Sequence, residues 1–375
     1  MQSNLKQQII EIAHELGFQR TVIAGMQPLT HDSQRYKNWL QQGFAADMEY
    51  LKRNPDIRTT PEQLFPQSLS AIVVSTSYYT PPPECPGDHY GKVANYAVGL
   101  DYHAVLRARL RDLRSRIEAI VGRSLVGKAF TDDVALYEQG LALRHGLGFR
   151  GKNALIIGPK LMGSYNFIAE LITDLPLEPD EPYSGTCGQC FRCGAACPTG
   201  AIVNAQTVDA RLCISYLTIE NKHDIPVALR PKLGSWVFGC DVCQDVCPYN
   251  QRPPETTWSE FRPELGVGHY IDLFGLLAIR TEEEFRARFL PTPVRRPKRR
   301  GLLRNALVVL GNQRPTGGVK RILDFATGEP DAMLREHAAW AISRYGCGES
   351  KRSLEQLISR ESDAQQRAQM LSHVS

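Results

Sequence analysis

Residues 187–198 read CGQCFRCGAACP and place four cysteines within a short glycine-rich stretch. The spacing Cys-x2-Cys-x2-Cys-x3-Cys-Pro is the run that ligates [4Fe–4S] clusters in two-cluster proteins. Three cysteines two residues apart can bind three corners of one cubane. The fourth cysteine, which is followed by proline, binds the other cluster. This motif therefore predicts a second set of cysteines elsewhere in the chain.

The second set is Cys213, Cys240, Cys243 and Cys247, the last followed by Pro248. It is a broken copy of the first run, because its first cysteine lies far upstream of the other three. Crossing the sets predicts the ligands of two clusters: Cys187, Cys190, Cys193 and Cys247 for one, and Cys197, Cys213, Cys240 and Cys243 for the other. Cys-x2-Cys pairs also hold structural zinc, but a zinc site needs neither the third close cysteine nor the prolines.

The remaining composition indicates an intracellular protein. Clustered cysteines without a signal peptide favour metal or redox chemistry over disulfides. Leu5, Ile9 and Leu16 share one helical face, which indicates a helix rather than a targeting peptide. No run reaches the roughly eighteen apolar residues of a membrane span. We expect a cytoplasmic protein with no membrane partner, in which Cys85 and Cys347 are free thiols of the small, buried kind.

Residues 1–175 form the first predicted domain, in which short apolar runs alternate with helical patterns as in an α/β domain. Buried strands are predicted at Thr21–Gly25, Ala71–Ser75 and Ala154–Gly158. Asp101 can cap a long helix over 102–121. The apolar stripe of that helix comprises Leu106, Leu110, Leu113, Ile117 and Ile120.

Two further domains are predicted. Residues 176–255 are rich in cysteine, glycine and proline, which predicts a ferredoxin-like domain that metal–sulfur bonds stabilise. Residues 256–375 begin with a basic linker and end in helices. Within them, segments 305–311 and 337–343 can be aligned, which favours α-helical HEAT-like repeats. A plain helical bundle is the alternative.

A basic block lies at 285–304, where no acidic residue occurs. Its cations are Arg286, Arg288, Arg295, Arg296, Lys298, Arg299, Arg300 and Arg304. Such a block forms either a solvated loop or a contact with phosphate.

Several segments together resemble the epoxyqueuosine reductase family. They are TDDVALYE at 131–138, GLGFRGKN at 146–153 and GSY at 163–165, with the cysteine pattern, the residues around Ser215 and Asp241, and the basic stretch before a helical tail. The resemblance covers nearly the whole chain. It implies an oxidoreductase that carries two [4Fe–4S] clusters and cobalamin. It also implies that the clusters feed cob(I)alamin, which reduces epoxyqueuosine to queuosine at the wobble position of a tRNA anticodon.

Asp132 is the catalytic residue that the resemblance implies, as the proton donor to the oxygen that leaves. The residues themselves are compatible with this role, because a strand predicted over 128–131 would place Asp132 at a strand end, where catalytic groups of α/β sheets lie. A carboxylic acid in a closed apolar pocket can deliver a proton. The alternative is that Asp132 or Asp133 merely caps a helix that begins near Ala135.

The resemblance also implies the cobalamin contacts. They are Arg58, Ala94, Asp132, Ile156, Ser164, Ile168, Ser215 and Asp241. Gly146, Gly148, Gly151 and Gly163 would let the backbone approach a large planar ligand closely.

The same resemblance implies that the basic block binds tRNA, because Lys and Arg side chains position RNA through its phosphates. The predicted tRNA contacts are Lys222, Arg295, Arg296, Lys298, Arg299 and Arg300. They would hold the anticodon stem-loop that carries epoxyqueuosine. We further expect a monomer that takes electrons from an external one-electron donor such as a flavodoxin or a ferredoxin.

Two other functions fit parts of the pattern. A reductive dehalogenase-like enzyme also joins a corrinoid domain to two [4Fe–4S] clusters, but it has no reason to carry a basic helical tail. A non-catalytic electron-transfer or RNA-binding protein would not need an acid such as Asp132 at a strand end.

Overall fold

The computed structural model describes residues 2–159 and 162–374. The chain forms two compact units, and each is built from segments that are separate in the sequence. The first unit comprises Met1–Pro81, Leu100–Arg211 and Asp241–Arg262. The second comprises Pro82–Gly99, Leu212–Cys240 and Pro263–Ser375.

The elements are numbered in chain order. The helices are α1 Gln2–Glu15, α2 Thr30–Gln41, α3 Glu49–Lys52, α4 Pro55–Arg58, α5 Pro61–Leu64, α6 Tyr102–Val121, α7 Glu138–Arg144, α8 Arg192–Ala196, α9 Ile214–Ile219, α10 Val242–Asp245, α11 Leu273–Leu277, α12 Glu282–Phe289, α13 Lys298–Gln313, α14 Gly318–Thr327, α15 Ala332–Ser343, α16 Gly348–Arg360 and α17 Ala364–Leu371. The strands are β1 Arg20–Gly25, β2 Ser70–Ser77, β3 Tyr90–Val93, β4 Ala129–Phe130, β5 Phe149–Arg150, β6 Ile156–Ile157, β7 Asn166–Thr173, β8 Ile202–Asn204, β9 Thr207–Val208, β10 Trp236–Phe238 and β11 Tyr270–Asp272. Short 3-10 turns lie at Asn95–Ala97, Arg230–Leu233, Pro248–Asn250, Ser259–Phe261, Pro263–Leu265 and Pro293–Arg295.

The central sheet of the first unit has the strand order β1-β2-β7-β4, and every neighbouring pair is antiparallel. The unit mixes helices and strands as predicted, and strands β1 and β2 are confirmed. The rule for catalytic groups at strand ends concerns parallel sheets, so it does not support Asp132 here.

One strand prediction is confirmed only in part. The Ala154–Gly158 segment contributes only β6, which pairs with β5 in a small hairpin outside the central sheet. The central sheet also contains β7, which was not predicted from the sequence. β7 carries Glu170 among apolar residues, and a charged residue within a strand breaks the pattern of a buried run.

Helix α6 has the predicted bounds, and the side chain of Asp101 caps it by accepting from the backbone N–H of His103. Its buried residues are Leu106, Leu110, Leu113 and Ile117. Ile120 was predicted to share this stripe but is exposed, because the last turn of α6 extends beyond the sheet-facing core.

The apolar core beside the sheet places β4 and α7. Val22, Val73, Phe130 and Ile172 from the four strands pack with Leu141 of α7 in one buried cluster. Burial of each such side chain stabilises the fold by roughly 1.5–3 kcal/mol. This cluster fixes the ends of the loop that joins β4 to α7, where Asp132 lies.

The second unit combines a three-stranded sheet, of order β10-β3-β11, with a helical region. Helix α13 packs against α15, and α14 packs against α15 and α16. The two segments that align in sequence lie within α13 and α15, and most of their residues are buried. The basic block is not a solvated loop, since it runs from α12 into α13.

Within the described residues, no helix is both long and apolar enough to cross a membrane. Cys85 and Cys347 are free cysteines, but both are exposed rather than buried as predicted.

Candidate functional site

Asp132 lies on the loop between β4 and α7, directly after the buried Thr131. The Thr131 hydroxyl donates to the carbonyl of Ile168 at 2.8 Å, which ties the start of the loop to β7. Asp132 has a φ of 53°, in the left-handed region that residues with a side chain seldom adopt. This turn directs its carboxylate outwards, where the side chain is 70% exposed.

The first turn of α6 faces the Asp132 carboxylate. The Tyr102 hydroxyl donates to Asp132 Oδ2 at 2.7 Å, and His103 Nε2 lies 4.0 Å from the same oxygen. His103 Nδ1 is in turn 2.7 Å from Asp101 Oδ1. The Tyr102 ring stacks on Phe167 with a centroid separation of 4.5 Å. The acid therefore has a positioned phenol and imidazole beside it, as a proton-transfer site requires.

Asp133 points to a different partner, since its carboxylate lies 3.4 Å from Arg107 Nη2 on α6. The alternative that one of these aspartates caps a helix near Ala135 is wrong. Helix α7 begins at Glu138, and its N-cap residue Tyr137 makes no side-chain capping bond. The two aspartates thus differ: Asp133 is ion-paired, and Asp132 faces Tyr102 and His103.

Two glutamates lie under this loop, Glu138, which is half-buried, and Glu170, which is fully buried. Glu138 Oε1 accepts from the backbone N–H of Asp132 at 2.8 Å. Burial, followed by the charge of Asp132, raises the pKa of Glu138 to about 8. Glu170 is fully buried on β7, and burial, followed by the charge of Glu138, raises its pKa well above the usual value. Neither residue was predicted to have a role, although the single charge of Glu170 within the apolar run of β7 is a signal that can be read from the sequence.

The first predicted cluster site is complete within the first unit. Burial, together with the charges of Cys187 and Cys247, raises the pKa of Cys193. Burial, together with the charges of Cys187 and Cys190, raises the pKa of Cys247. The four thiols thus share one environment, and four thiolates are the donor set that a [4Fe–4S] cubane takes.

The second predicted set is divided between the units: Cys197 and Cys243 lie in the first, and Cys213 and Cys240 in the second. Burial acts to raise the pKa of Cys197. Hydrogen bonds from Thr199 and the Ala201 N–H outweigh it and lower that pKa. The grouping of these four cysteines stays a prediction. Helices α8 and α10, which contain Cys193 and Cys243, pack against each other.

The residues predicted to contact cobalamin also lie in both units: Ala94 and Ser215 are in the second, and Arg58, Asp132, Ile156, Ser164, Ile168 and Asp241 are in the first. Ser164 is buried, and its hydroxyl accepts from Gln244 Nε2 at 3.1 Å and Asn250 Nδ2 at 2.9 Å. Asp241 is also buried, at the start of α10. Ala94 donates its N–H to the Phe238 carbonyl at 2.8 Å.

The guanidinium group of Arg58 contains an unsatisfied hydrogen-bond donor, as expected for a side chain that binds a ligand. One guanidinium nitrogen donates to the Tyr50 carbonyl at 2.5 Å, but Nε is buried and lacks a hydrogen-bond partner in the described part of the chain. Ile156 and Ile168 are half-buried beside the same apolar cluster as β4. A bound group with polar and apolar faces fits these three residues.

The glycines that were predicted to let a planar ligand approach are instead in close contact with other residues of the protein. A Cβ on Gly148 would meet the Ile157 carbonyl, and one on Gly163 would meet Asn250 Oδ1. Gly163 also has a φ of +66°. These glycines are needed for the packing of the chain, so they are no evidence for a cofactor.

The predicted tRNA contacts differ in how freely they face solvent. Arg295, Arg296, Lys298, Arg300 and Lys222 are exposed. Arg299 donates to the Ile279 carbonyl at 3.0 Å and pairs with Glu329 at 2.5 Å. Its side chain is 11% exposed. Partial burial lowers the pKa of Lys222, and the nearby cations Arg296, Arg304 and Lys298 lower it further.

Arg304 belongs to the fold rather than to the surface. Its guanidinium is fully buried and donates to the carbonyls of Leu217, Asn221 and His223 at 2.6–2.9 Å. It thus ties the segment that carries Ser215 and Lys222 to α13. The carbonyl partners of Arg304 are distant from it in sequence, so its structural role could not be predicted from the basic block alone.

Two family models match the chain. The model "4Fe-4S double cluster binding domain" matches residues 186–250, and the model "Epoxyqueuosine reductase QueG, DUF1730" matches residues 58–133. The first match confirms two [4Fe–4S] clusters and rules out the zinc alternative.

Curated relatives decide the family. The epoxyqueuosine reductase of Pseudomonas aeruginosa is 38% identical over 357 residues, which cover 92% of this chain and 95% of that protein. This chain belongs to the epoxyqueuosine reductase family. The Escherichia coli K12 enzyme is 37% identical over 346 residues, covering 91% of this chain and 90% of its own length. The family predicted from the sequence is confirmed, and the dehalogenase-like and non-catalytic alternatives are wrong.

Solved structures of epoxyqueuosine reductases have the same fold. One, in complex with a tRNA-Tyr epoxyqueuosine-modified stem loop, has a TM-score of 0.91 at 29% identity and covers 100% of this chain and 99% of its own. The Bacillus subtilis enzyme has a TM-score of 0.89 at 29% identity, with the same coverage. Its catalytic aspartate loop is described as swung out of the active site.

Proposed function

We propose that this epoxyqueuosine reductase reduces the epoxide of epoxyqueuosine to the alkene of queuosine at the wobble position of a tRNA anticodon, with Asp132 as the proton donor. The observation that carries the proposal is the Asp132 carboxylate, which is exposed at the end of a buried strand and bonded to Tyr102 at 2.7 Å. Removing the epoxide oxygen as water takes two electrons and two protons. The site must therefore combine a reductant with an acid.

The acid is what this chain supplies directly. Asp132 would give its proton to the oxygen as the carbon–oxygen bond breaks. The Tyr102 hydroxyl, which donates to Asp132 Oδ2, orients the carboxyl group and stabilises the carboxylate left behind. His103, 4.0 Å from the same oxygen, is placed to assist the return of a proton.

Cobalamin is the second cofactor that we propose, and it would supply the strongly reducing chemistry when bound. The partner-less Nε of Arg58 and the half-buried Ile156 and Ile168 support a mixed polar and apolar contact in the first unit. Ser164 already accepts two hydrogen bonds, so its remaining capacity is its O–H donor. Asp241, Ala94 and Ser215 stay as proposed contacts.

The iron–sulfur clusters would carry the electrons. Cys187, Cys190, Cys193 and Cys247 would hold one cluster, and Cys197, Cys213, Cys240 and Cys243 the other. We propose that an external one-electron protein such as a flavodoxin or a ferredoxin delivers electrons to a monomer of this chain in the cytoplasm.

The basic surface of the second unit is the proposed tRNA contact, and we define it by Lys222, Arg295, Arg296, Lys298 and Arg300. The complex of a relative with a modified tRNA stem loop supports this partner. Arg296 pairs with Glu220 at 2.8 Å, but its side chain is 58% exposed. Because exposed ion pairs contribute only about 0–1 kcal/mol, phosphates can compete for it. Arg299 is left out, since its ion pair is largely buried. HEAT-like stacking of α13 to α16 would support this surface.

The direct test is incubation of the reconstituted protein with cobalamin, a strong reductant and epoxyqueuosine-tRNA, followed by mass analysis of the nucleosides. We expect the modified base to lose one oxygen. An unchanged mass, with cobalamin bound and clusters intact by absorption, would contradict the proposal.

A further inference from the structure

Two glutamates under the Asp132 loop, the half-buried Glu138 and the fully buried Glu170, have no assigned role, and we name them the carboxyl pair. Glu138 is the first residue of α7, and Glu170 lies on β7 directly opposite Phe130 of β4. Helix α7, which follows the loop, and β7, which pairs with the strand before it, therefore each bring one acid to the same place beneath the loop.

Glu138 holds the loop through its backbone. Its Oε1 accepts from the Asp132 N–H at 2.8 Å, at the residue whose φ of 53° is unfavourable for an amino acid with a Cβ. A strained backbone conformation persists only where its surroundings impose it. The Glu138 contact is one such restraint, and the Thr131 hydroxyl bond to Ile168 is another.

Glu170 is an unusual buried acid. It is fully buried, and its carboxyl group faces that of Glu138. Within the described part of the chain, no cation forms an ion pair with Glu138 or Glu170. Burying an ionised carboxylate without a partner is strongly unfavourable, so the fold is most stable when Glu170 carries a proton.

The charged and titratable groups around the pair come from the loop and from α6. They are Asp132 and Asp133 on the loop, with Tyr102 and His103 beside Asp132 and Arg107 beside Asp133. The cation Arg107 is therefore already used by Asp133. Any negative charge that appears on the carboxyl pair adds to that of two nearby aspartates.

We propose that Glu138 and Glu170 are positioning residues: while protonated they keep the Asp132 loop seated against Tyr102, and the ionisation of Glu138 drives the loop outwards. The inference rests on the proposed role of Asp132 as the proton donor. The N–H bond to Glu138 can form in either protonation state. The switch is therefore the like-charge repulsion between Glu138 and the aspartates.

The raised pKa values are consistent with this geometry. Burial and the Asp132 charge raise the pKa of Glu138 to about 8, and that of Glu170 lies well above its usual range. A raised carboxyl pKa means that the folded state retains the proton longer than the unfolded chain does. The seated loop is therefore favoured below about pH 8 and is lost as the pH rises through that value.

The test is amide hydrogen exchange of residues 131–137 in the cluster-loaded protein from pH 6 to 9, expressed as protection relative to the intrinsic rate at each pH. In the wild type we expect protection of this segment to fall several-fold above about pH 8. Glu138→Gln keeps an acceptor for the Asp132 N–H but cannot ionise, so its protection should not depend on pH. Glu138→Ala loses the acceptor and should leave the segment open at every pH. Glu62→Gln, an exposed acid of the same unit, is the matched control and should behave as the wild type.

The wild-type profile alone is decisive even where a variant fails to fold. A pH-independent protection of residues 131–137, or the same alkaline loss in Glu138→Gln, would overturn the inference. Turnover adds a separate readout: kcat should lose its alkaline decline in Glu138→Gln while KM for tRNA stays unchanged. Hydrogen exchange does not require turnover. An inactive protein whose loop still opens with rising pH would therefore contradict the proposed function but support the proposed role of the carboxyl pair.

Discussion

Buried charge is treated in opposite ways in the two units of this protein. In the first unit, Glu170 is fully buried and Glu138 beside it is half-buried, and neither pairs with a cation in the described part of the chain. In the second unit, Arg230 is 2% exposed and pairs with Glu336 through two hydrogen bonds of 2.9 and 2.8 Å. Arg304 is likewise buried and donates to three carbonyls. A fully satisfied buried charge holds a fold together, whereas an unsatisfied one titrates. The contrast agrees with the proposed functional role of the first site and indicates a structural role for the second.

The largest expected effect is on catalysis at Asp132. Asparagine tolerates the left-handed conformation and keeps the Tyr102 contact, but it has no acidic proton to give. Asp132→Asn should therefore lower kcat by about 10²–10⁴-fold, measured as queuosine formed per cluster-loaded protein. Unchanged cluster absorption and tRNA affinity serve as the control, and wild-type turnover would remove Asp132 from the mechanism.

Breaking the buried ion pair of the second unit should mainly affect stability. Arg230→Met leaves Glu336 with only His337 and His373 as partners. Loss of one partner from a buried pair typically costs about 3–5 kcal/mol, so the melting temperature should fall markedly. Glu170→Gln, by contrast, removes no ion pair and should change the melting temperature little at pH 7. An equal fall in melting temperature in the two variants would contradict the proposed difference between the two units.

Stability should also depend on pH through the first unit. The folded protein keeps the Glu138 proton up to about pH 8, whereas an unfolded chain releases it near the ordinary value. The contribution of Glu138 to stability is therefore fully present at low pH and declines as the pH rises from about 4.5 to 8. We expect the melting temperature of Glu138→Gln to show a smaller decline over this range. Parallel curves for wild type and variant would contradict the assignment.

The smallest effect is expected at the basic surface. Lys298→Ala should weaken tRNA binding modestly for all sequences and reduce the salt slope of log K by about 1. Lys320→Ala, an exposed lysine of the same unit on α14, is the matched control. Arg299→Ala should lower the melting temperature, because its partner Glu329 is buried, but leave the salt slope unchanged. A reduced slope for Lys320→Ala or Arg299→Ala would mean that the RNA surface is misplaced.

Local patterns in the sequence predicted a large part of this molecule. The cysteine spacing gave the cluster chemistry, since ligand spacing is a local property of the chain. Helix α6 and strands β1 and β2 followed from periodicity and from the Asp101 cap. The family resemblance pointed to Asp132 before any geometry was known.

Long-range relations were not predictable in the same way. The antiparallel order of the sheet depends on which strands pair. Strand β7 was not predicted because it contains Glu170, and a buried strand seldom carries an acid. The cations of the basic block look equivalent in sequence, yet Arg299 and Arg304 have internal partners while Lys298 faces solvent. The partners of a charge are set by the fold, so its role could be read only from the structure.

The left-handed backbone at Asp132 has a consequence for how this position varies. Glycine would relieve the strain of a φ of 53°, worth roughly 1–2 kcal/mol, and would delete the acid. Selection for thermal stability alone would therefore favour glycine at 132, while selection for queuosine formation keeps aspartate. A library of variants at position 132, screened once for thermal stability and once for queuosine formation, would separate the two selection pressures.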